Sequence, residues 1–594
     1  SMEFSQREIK RANGPYSLVW MRRSLRGWLH GCKPWESLLY NPAMVKIREN
    51  LSVDKRYFES LIKKYLIDNQ HRALVIIEPK KEFLSEQEAR LVKELADEEK
   101  SLSRSKKQAI IDKSAELEII QSEADSIDAL AAIPHLARND LSPEPEMIPR
   151  RFFDLQGIPA LSHELFTNGI SYFTIAFPLD ILPFEDYQWL PFFSRAVVSV
   201  GLPGMDYGEV SGLFARNTGG FNAILLSSSA VQNSPQNFIT PSVDIMGRDW
   251  INYRLKCLDE KIAPSLDLAL RMICEADFSD HRRINDLVLE MKSEMDSSLA
   301  PAGNMYASGR SGRRNSRTKQ IEETWHGISQ IDFVHRLSMM DTPVISEKLR
   351  DLREKIGNAG VIVNVTGNAL DKACSELTRR FNRFGIPKPR KHYNVPSVVN
   401  VSEVFASASL QVGFAAQTFN AAPNDTCEQA AEIVLAHQLS TGALWEGIRM
   451  KGGAYGAYVN ANSLENCFTF ATYRDPAPQR SFDTFKNIVS NVRLEDSSED
   501  SLVKSIIGCY AKETTPRTSA EKGTVDFIRF LYGIDDDHRK RRLERLVSVT
   551  AEDINNAYKS LASKELYGQV IISGIKNAEK AAKTLGVELK MLPV

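Results

Sequence analysis

Arg449 and Tyr455 stand six residues apart in the run Arg449-Met-Lys-Gly-Gly-Ala-Tyr455-Gly456, and Gly452-Gly453 between them permits a tight turn. An arginine ending a short helix offers a forked pair of N–H donors to a carbonyl or carboxylate. A tyrosine just past the turn offers one neutral O–H to an oxyanion. The same residues admit a second reading, in which the glycines serve backbone geometry alone and Arg449 pairs with an acid such as Glu446. Residue types and spacing leave both open.

Other chemistries lack their residues. No two of the ten histidines lie closer than nine positions, and His163-Glu164 has no second His at the distance a helix-borne zinc pair requires. The sequence holds no phosphate-binding Gly-x-x-x-x-Gly-Lys-Ser/Thr loop, and Gly452, Gly453 and Gly456 are wrongly spaced for a dinucleotide fingerprint. No Gly-x-Ser-x-Gly nucleophile elbow occurs. Seven scattered cysteines without a Cys-x-x-Cys pair suit reduced thiols in a reducing compartment.

With 75 basic and 76 acidic side chains in 594 residues, the chain lacks the electrostatic footprint of a nucleic-acid binder. Two arginine clusters stand out locally. Gly309–Arg317 has the Gly/Ser content of a mobile loop, and His538–Arg545 follows Asp535-Asp-Asp537 in the order that suits a helix dipole. The longest uncharged stretch, Asn217–Val243, is broken throughout by polar residues and cannot span a bilayer, so no membrane partner is expected.

The elements that must position Arg449 and Tyr455 follow from a repeat. A β-branched strand, a turn and a helix recur at Ala73–Ile77 with Glu78-Pro79, at Val361–Val365 and at Gln569–Ser573, each reading as the closing strand of a similar unit. Opening strands are expected at Ser171–Phe177 and Leu410–Ala416. Thr218-Gly-Gly-Phe221 in one unit matches Lys451-Gly-Gly-Ala-Tyr455 in the other. The strand at 73–77 has too few residues before it for an opening half, so the sequence reads as starting inside a unit.

Residues 83–132 lack Gly and Pro, favour helix and carry two capping boxes, Ser85-x-x-Glu88 and Ser105-x-x-Gln108, predicting a helical hairpin. A Pro-stiffened segment, 140–149, then marks a boundary. Further on, Asp425-x-x-Glu428 opens a helix carrying Ala431, Leu435 and Leu439, Gly442 ends it, a strand is predicted at Cys467–Tyr473, and Thr550-x-x-Asp553 caps another helix.

Arg449–Gly456 resembles the Arg-x-x-Gly-Gly-Ala-Tyr-Gly segment in the C-terminal half of presequence-protease-like peptidases, a branch of the pitrilysin and insulinase superfamily of zinc metallopeptidases. Asn69-Gln-His71, Asn168–Tyr172, Thr218–Gly220, Met305–Ser308 and Thr472–Pro476 resemble the same family in the same order. The resemblance implies an α+β chain: two homologous domains with mixed, mainly antiparallel sheets packed by helices, preceded by a helical-hairpin hinge. Residues 1–80 would be the end of a second domain, 81–149 the hinge, 150–385 a third domain and 386–594 a fourth.

The family's zinc ligands and general base lie in a first domain, so the resemblance implies zinc in the full-length enzyme and no metal held here. Arg449 and Tyr455 match the family's pair that binds substrate backbone and stabilises the oxyanion. Gly452 and Gly453 shape that substrate-binding turn, and sheet edges of the fourth domain would hold an extended peptide. The implied partners are a short unstructured peptide and the N-terminal catalytic half of the same protein. The implied location is the cytoplasm of a bacterium or an organelle matrix. The alternative is a catalytically dead scaffold or peptide-binding subunit.

Overall fold

A computed structural model describes residues 2–11, 14–78, 80, 82–122, 126, 128–129, 132–231, 245–391, 401–491 and 499–594. Pro79 and His392 lie outside the described residues, as do six positions of the stretch 83–132 and the segment 232–243 of the uncharged stretch. The chain divides into two compact units, residues 17–136 and residues 1–16 with 137–594.

The unit 17–136 is helical. Its two longest helices, α1 (Phe83–Ser101) and α2 (Arg104–Ser122), realise the helical stretch, with the starts displaced from the predicted caps. Ser85 falls inside α1, which begins after Glu82. At α2 the capping hydroxyl is that of Ser103, which accepts from the Lys106 N–H at 3.3 Å, two residues before the predicted Ser105. The predicted strand at Ala73–Ile77 does not form. No strand pairs with it among the described residues, so the apolar run has nothing to pack against: Leu74 and Ile77 are 86% and 89% exposed.

The larger unit carries two six-stranded sheets. The first orders its strands β1-β2-β6-β3-β5-β4, from β1 (Arg151–Leu155), β2 (Ile158–Glu164), β3 (Ile170–Pro178), β4 (Gly220–Ser227), β5 (Asp249–Leu258) and β6 (Ile362–Gly367). The second orders them β12-β7-β11-β8-β10-β9, from β7 (Ser402–Ala406), β8 (Phe414–Phe419), β9 (Gly456–Asn462), β10 (Cys467–Tyr473), β11 (Leu566–Ser573) and β12 (Leu589–Met591). In each, the opening strand lies antiparallel beside the closing strand, β3 beside β6 and β8 beside β11. A parallel strand flanks the closing one, β2 or β7. The repeat therefore holds as two mixed, mainly antiparallel α/β domains. The second opening strand starts at Phe414, four residues later than predicted, because the chain from 407 to 413 turns back on itself.

Each sheet has one face covered by helices of its own domain and the other by a helix of its neighbour. Five helices matter here: α3 (Tyr207–Asn217), α4 (His281–Gly312), α5 (Cys427–Thr441), α6 (Ser519–Tyr532) and α7 (Asp536–Ser548). Leu299, Tyr306 and Ala307 of α4, from the first domain, pack on Phe405, Phe414, Ala416 and Ile572 of the second sheet. Phe527, Phe530 and Leu531 of α6, from the second domain, pack on Leu161, Ala176, Trp250 and Ile362 of the first sheet. Strand alternation makes this possible: Ala160 faces the first domain's own core while Leu161 faces α6.

Both crossings are close enough to demand glycine. A Cβ on Gly303 of α4 would lie 2.3 Å from the Phe414 ring, and one on Gly523 of α6 would lie 1.9 Å from Thr366 Oγ1. Gly523→Ala is accordingly expected to destabilise the chain by about 1–3 kcal/mol through overpacking, read as a lowered urea midpoint. The double variant Gly523→Ala/Thr366→Ala should recover part of that loss.

Candidate functional site

Helix α5 starts from Thr426, whose hydroxyl accepts from the Gln429 N–H at 3.2 Å, one residue after the predicted Asp425. Asp425 instead takes φ +60° and faces Arg541 at 2.9 Å. Ala431, Leu435 and Leu439 are buried as their spacing requires, and the helix stops at Gly442. Its position sets the next turn, Trp445–Met450, which is wound as a π-helix with the Lys451 N–H donating to Glu446 O at 3.0 Å. Such wide turns recur at functional sites because they re-aim side chains.

The turn closes through the two glycines. The Gly453 N–H donates to Arg449 O and the Ala454 N–H to Ile448 O, both at 3.1 Å. Gly453 sits at φ +78°, in the left-handed region. A Cβ on Gly452 would lie 2.3 Å from Ile448 O, and Arg480 clamps the turn from outside by donating to Gly452 O at 2.9 Å. The chain then enters edge strand β9 as Tyr455 donates its N–H to Arg474 O at 3.3 Å. In the first domain, Thr218-Gly219-Gly220 makes the equivalent passage from α3 into edge strand β4.

Arg449 and Tyr455 are brought together. The Arg449 guanidinium carbon lies 4.0 Å from the Trp445 ring centroid and 5.6 Å from that of Tyr455. Tyr455 meets Tyr473 edge-on at 5.7 Å, and Arg474 lies 5.4 Å over the Tyr473 ring. The acid offered as a partner for Arg449, Glu446, is taken by Lys451 at 2.7 Å, whose hydrogen bond holds the Glu446 carboxyl below its usual range. Among the described residues Arg449 has no carboxylate partner, and the Tyr455 hydroxyl has no acceptor although the residue is 64% exposed. The pair thus presents one forked cation and one phenolic donor outward, each held by ring contacts rather than by hydrogen bonds.

Sequence reasoning missed Trp445 and the stacking role of Tyr473. The first carried a readable signal, an aromatic four residues before an arginine on one helical turn. Edge pairing along β9 is narrower than expected: at Val459 the N–H already donates to the Ser440 hydroxyl at 2.8 Å. Beyond it, Tyr458, Asn460 and Asn462 line a cavity of about 550 Å³ together with Met305, Tyr306 and Trp325. Gly452→Ala is expected to dislodge the turn, costing about 1–3 kcal/mol in overpacking. Near-ultraviolet circular dichroism of Trp445 should change with it, whereas Lys451→Ala leaves that signal in place.

All seven cysteines are free. No described helix is long and apolar enough to cross a membrane. Among the described residues no three His, Cys, Asp or Glu side chains cluster so as to hold a metal ion.

A family model described as peptidase M16 (subfamily C) associated matches residues 77–337, and one described as "PreP C-terminal domain" matches residues 411–575. Presequence protease 1, chloroplastic/mitochondrial, of Arabidopsis thaliana is 24% identical over 591 residues, covering 94% of this chain and 51% of that protein. The mitochondrial presequence protease of Saccharomyces cerevisiae is 26% identical over 607 residues, covering 97% of this chain and 58% of its own length. In fold, the crystal structure of a conserved protein from Enterococcus faecalis V583 superposes with TM-score 0.54 at 13% identity, over 72% of this chain and 98% of that one. The two α/β domains have the fold of that protein, and each overlaps a matched family model, the first the peptidase M16-associated one and the second the PreP C-terminal one. The chain is homologous to the presequence proteases, and it spans about half the length of the relatives it matches.

Proposed function

We propose that this chain is the non-catalytic, substrate-holding half of a zinc metalloendopeptidase that degrades short unstructured peptides in a closed chamber. In this reading residues 1–80 complete a second domain, 81–149 form the hinge, and 150–385 and 386–594 are the third and fourth domains. Arg449 hydrogen-bonds a substrate backbone carbonyl, and Tyr455 donates its O–H to the oxyanion that forms when water attacks the scissile carbonyl. The zinc and the base that activates that water belong to an N-terminal half. Relatives named for chloroplast and mitochondrion favour an organelle matrix as the site of action in a eukaryote, with the cytoplasm as its counterpart in a bacterium.

The observation that carries the reading is that, among the described residues, the Arg449 and Tyr455 side chains have ring contacts but no hydrogen-bond or ion-pair partner, on a turn that only glycine can make. A structural arginine would have taken Glu446. The exposed apolar run Leu74–Ile77 supports a partner half as well, since it has the composition of a strand and pairs with no strand among the described residues. The test is peptide hydrolysis with zinc supplied, by this chain alone and then mixed with a separately produced N-terminal half. Activity only in the mixture is expected. Activity of this chain alone, or an inactive mixture in which the halves associate, overturns the reading, the latter in favour of a scaffold.

A further inference from the structure

A second cavity, of about 420 Å³, lies between the start of α6, the first turns of α7 and the β9–β10 hairpin. Five cations line it, Arg517, Lys522, Arg529, Arg539 and Arg542, against two carboxylates, Glu146 and Glu513. The carboxylates are already engaged: Glu146 with Lys522, and Glu513 with Arg542 at 2.6 Å. Arg539 is held by Asp536 at 2.7 Å and by Glu146 O at 2.9 Å.

Arg517 and Arg529 have no such partner. Neither guanidinium makes a hydrogen bond or ion pair among the described residues, and Arg529 Nη1 is buried without an acceptor. The acids nearest Arg529 in the chain are committed elsewhere, Asp526 to Arg150 at 3.4 Å and Asp536 to Arg539. Burial first, and then the charges of Arg539 and Arg517, pull the Arg529 guanidinium down to about 10. Two more buried nitrogens of the lining residues make no hydrogen bond: the amide nitrogen of Asn424, and Nδ1 of His538, which stands 3.8 Å from Asp425. Both arginines are half-buried, and a guanidinium nitrogen withdrawn from water without an acceptor is costly, a cost that an anionic ligand would offset.

We infer that this cavity binds a phosphate-bearing small molecule, whose phosphoryl oxygens accept from the guanidinium groups of Arg517 and Arg529. A single carboxylate would balance only one of these two cations, whereas a phosphate or polyphosphate balances both and matches the guanidinium fork. The volume lies within the range of small-molecule sites and exceeds what one phosphate fills, and Leu464, Tyr532 and Ile534 provide an apolar wall for the remainder of the ligand. The site involves neither Arg449 nor Tyr455, so it stands or falls apart from the proposed function.

Isothermal titration of the full chain at low ionic strength with inorganic phosphate, pyrophosphate and ATP tests it. Saturable one-site binding is expected, weakened more than tenfold in Arg517→Gln/Arg529→Gln and unchanged in the surface control Lys583→Gln. Tighter binding of ATP than of pyrophosphate identifies a nucleotide as the source of the phosphate. Equal binding identifies a free polyphosphate. Without ligand, Arg529→Gln should melt no lower than the parent chain, because it relieves repulsion. No saturable binding at millimolar concentrations, equal weakening in the control, or a large loss of unliganded stability in Arg529→Gln would each overturn the assignment.

Discussion

Arg449→Ala, introduced into the mixture of this chain with an N-terminal catalytic half, is expected to lower kcat/KM for peptide hydrolysis by about 10²–10³, the usual loss on removing one oxyanion-type donor. Tyr455→Phe removes a single hydroxyl and should act chiefly on kcat, because the donor is needed most when charge develops on the carbonyl oxygen. Arg449→Lys separates charge from shape. A lysine keeps the cation but loses both the fork and the flat face that stacks between Trp445 and Tyr455, so it should resemble alanine more than arginine. Unchanged rates in all three variants would remove Arg449 and Tyr455 from the reaction.

Glu403→Ala should be the most damaging single change to stability, at about 3–5 kcal/mol. Glu403 on β7 is 2% exposed and binds Arg310 through both oxygens, at 2.8 and 2.9 Å, with Arg313 at 2.5 Å and Lys590 at 2.7 Å. Arg310, in the last turns of α4, also reaches Glu323 at 2.9 Å. Without Glu403, Arg313 loses its carboxylate and Arg310 keeps Glu323 alone at the junction of the two domains. Burial by itself would raise the Glu403 carboxyl, yet the hydrogen bond and charge of Arg310, with Lys590 and Arg313, bring it down to about 2.

A depressed carboxylate stabilises the fold above its unfolded value, near 4.5, and that contribution is lost as pH falls from there toward 2. The lowering corresponds to stabilisation on the order of 3 kcal/mol. Denaturant midpoints measured between pH 6 and pH 3 should therefore fall less steeply in Glu403→Gln, which has no carboxylate to protonate, than in the parent chain.

The repeat was legible because strands buried on both faces leave a signature that survives in one sequence: β-branched runs at Val361–Val365 and Gln569–Ser573, each followed by a turn. Cys467–Tyr473 was legible to the residue for the same reason. Ala73–Ile77 carried an equal signal and formed no strand, since strand propensity is realised only where a neighbour supplies the ladder. Caps slipped by one or two residues wherever several hydroxyl or carboxylate side chains stood side by side, as at Asp425-Thr426 and Ser103–Ser105.

The arginine cluster Gly309–Arg317 was the least legible feature. Glycine and serine suggested a mobile loop, whereas 309–312 complete α4, 313–316 turn, and Arg317 opens the next helix, placing Arg310 and Arg313 on Glu403 and Arg317 on Asp249, at 3.1 Å through Nη1. Glu403 and Asp249 lie 93 positions from Arg310 and 68 from Arg317, and local composition holds no record of them. At the candidate site the glycines and the Arg–Tyr spacing were readable. What Arg449 stacks on, and that Glu446 turns to Lys451, depended on a π-turn that spacing does not announce.

The exchange of α4 and α6 between the sheets bears on how such a chain can evolve. Neither domain is a transferable module, because cutting between them strips an apolar face from both. Fusions and recombination points are expected to be tolerated outside the pair rather than between its members.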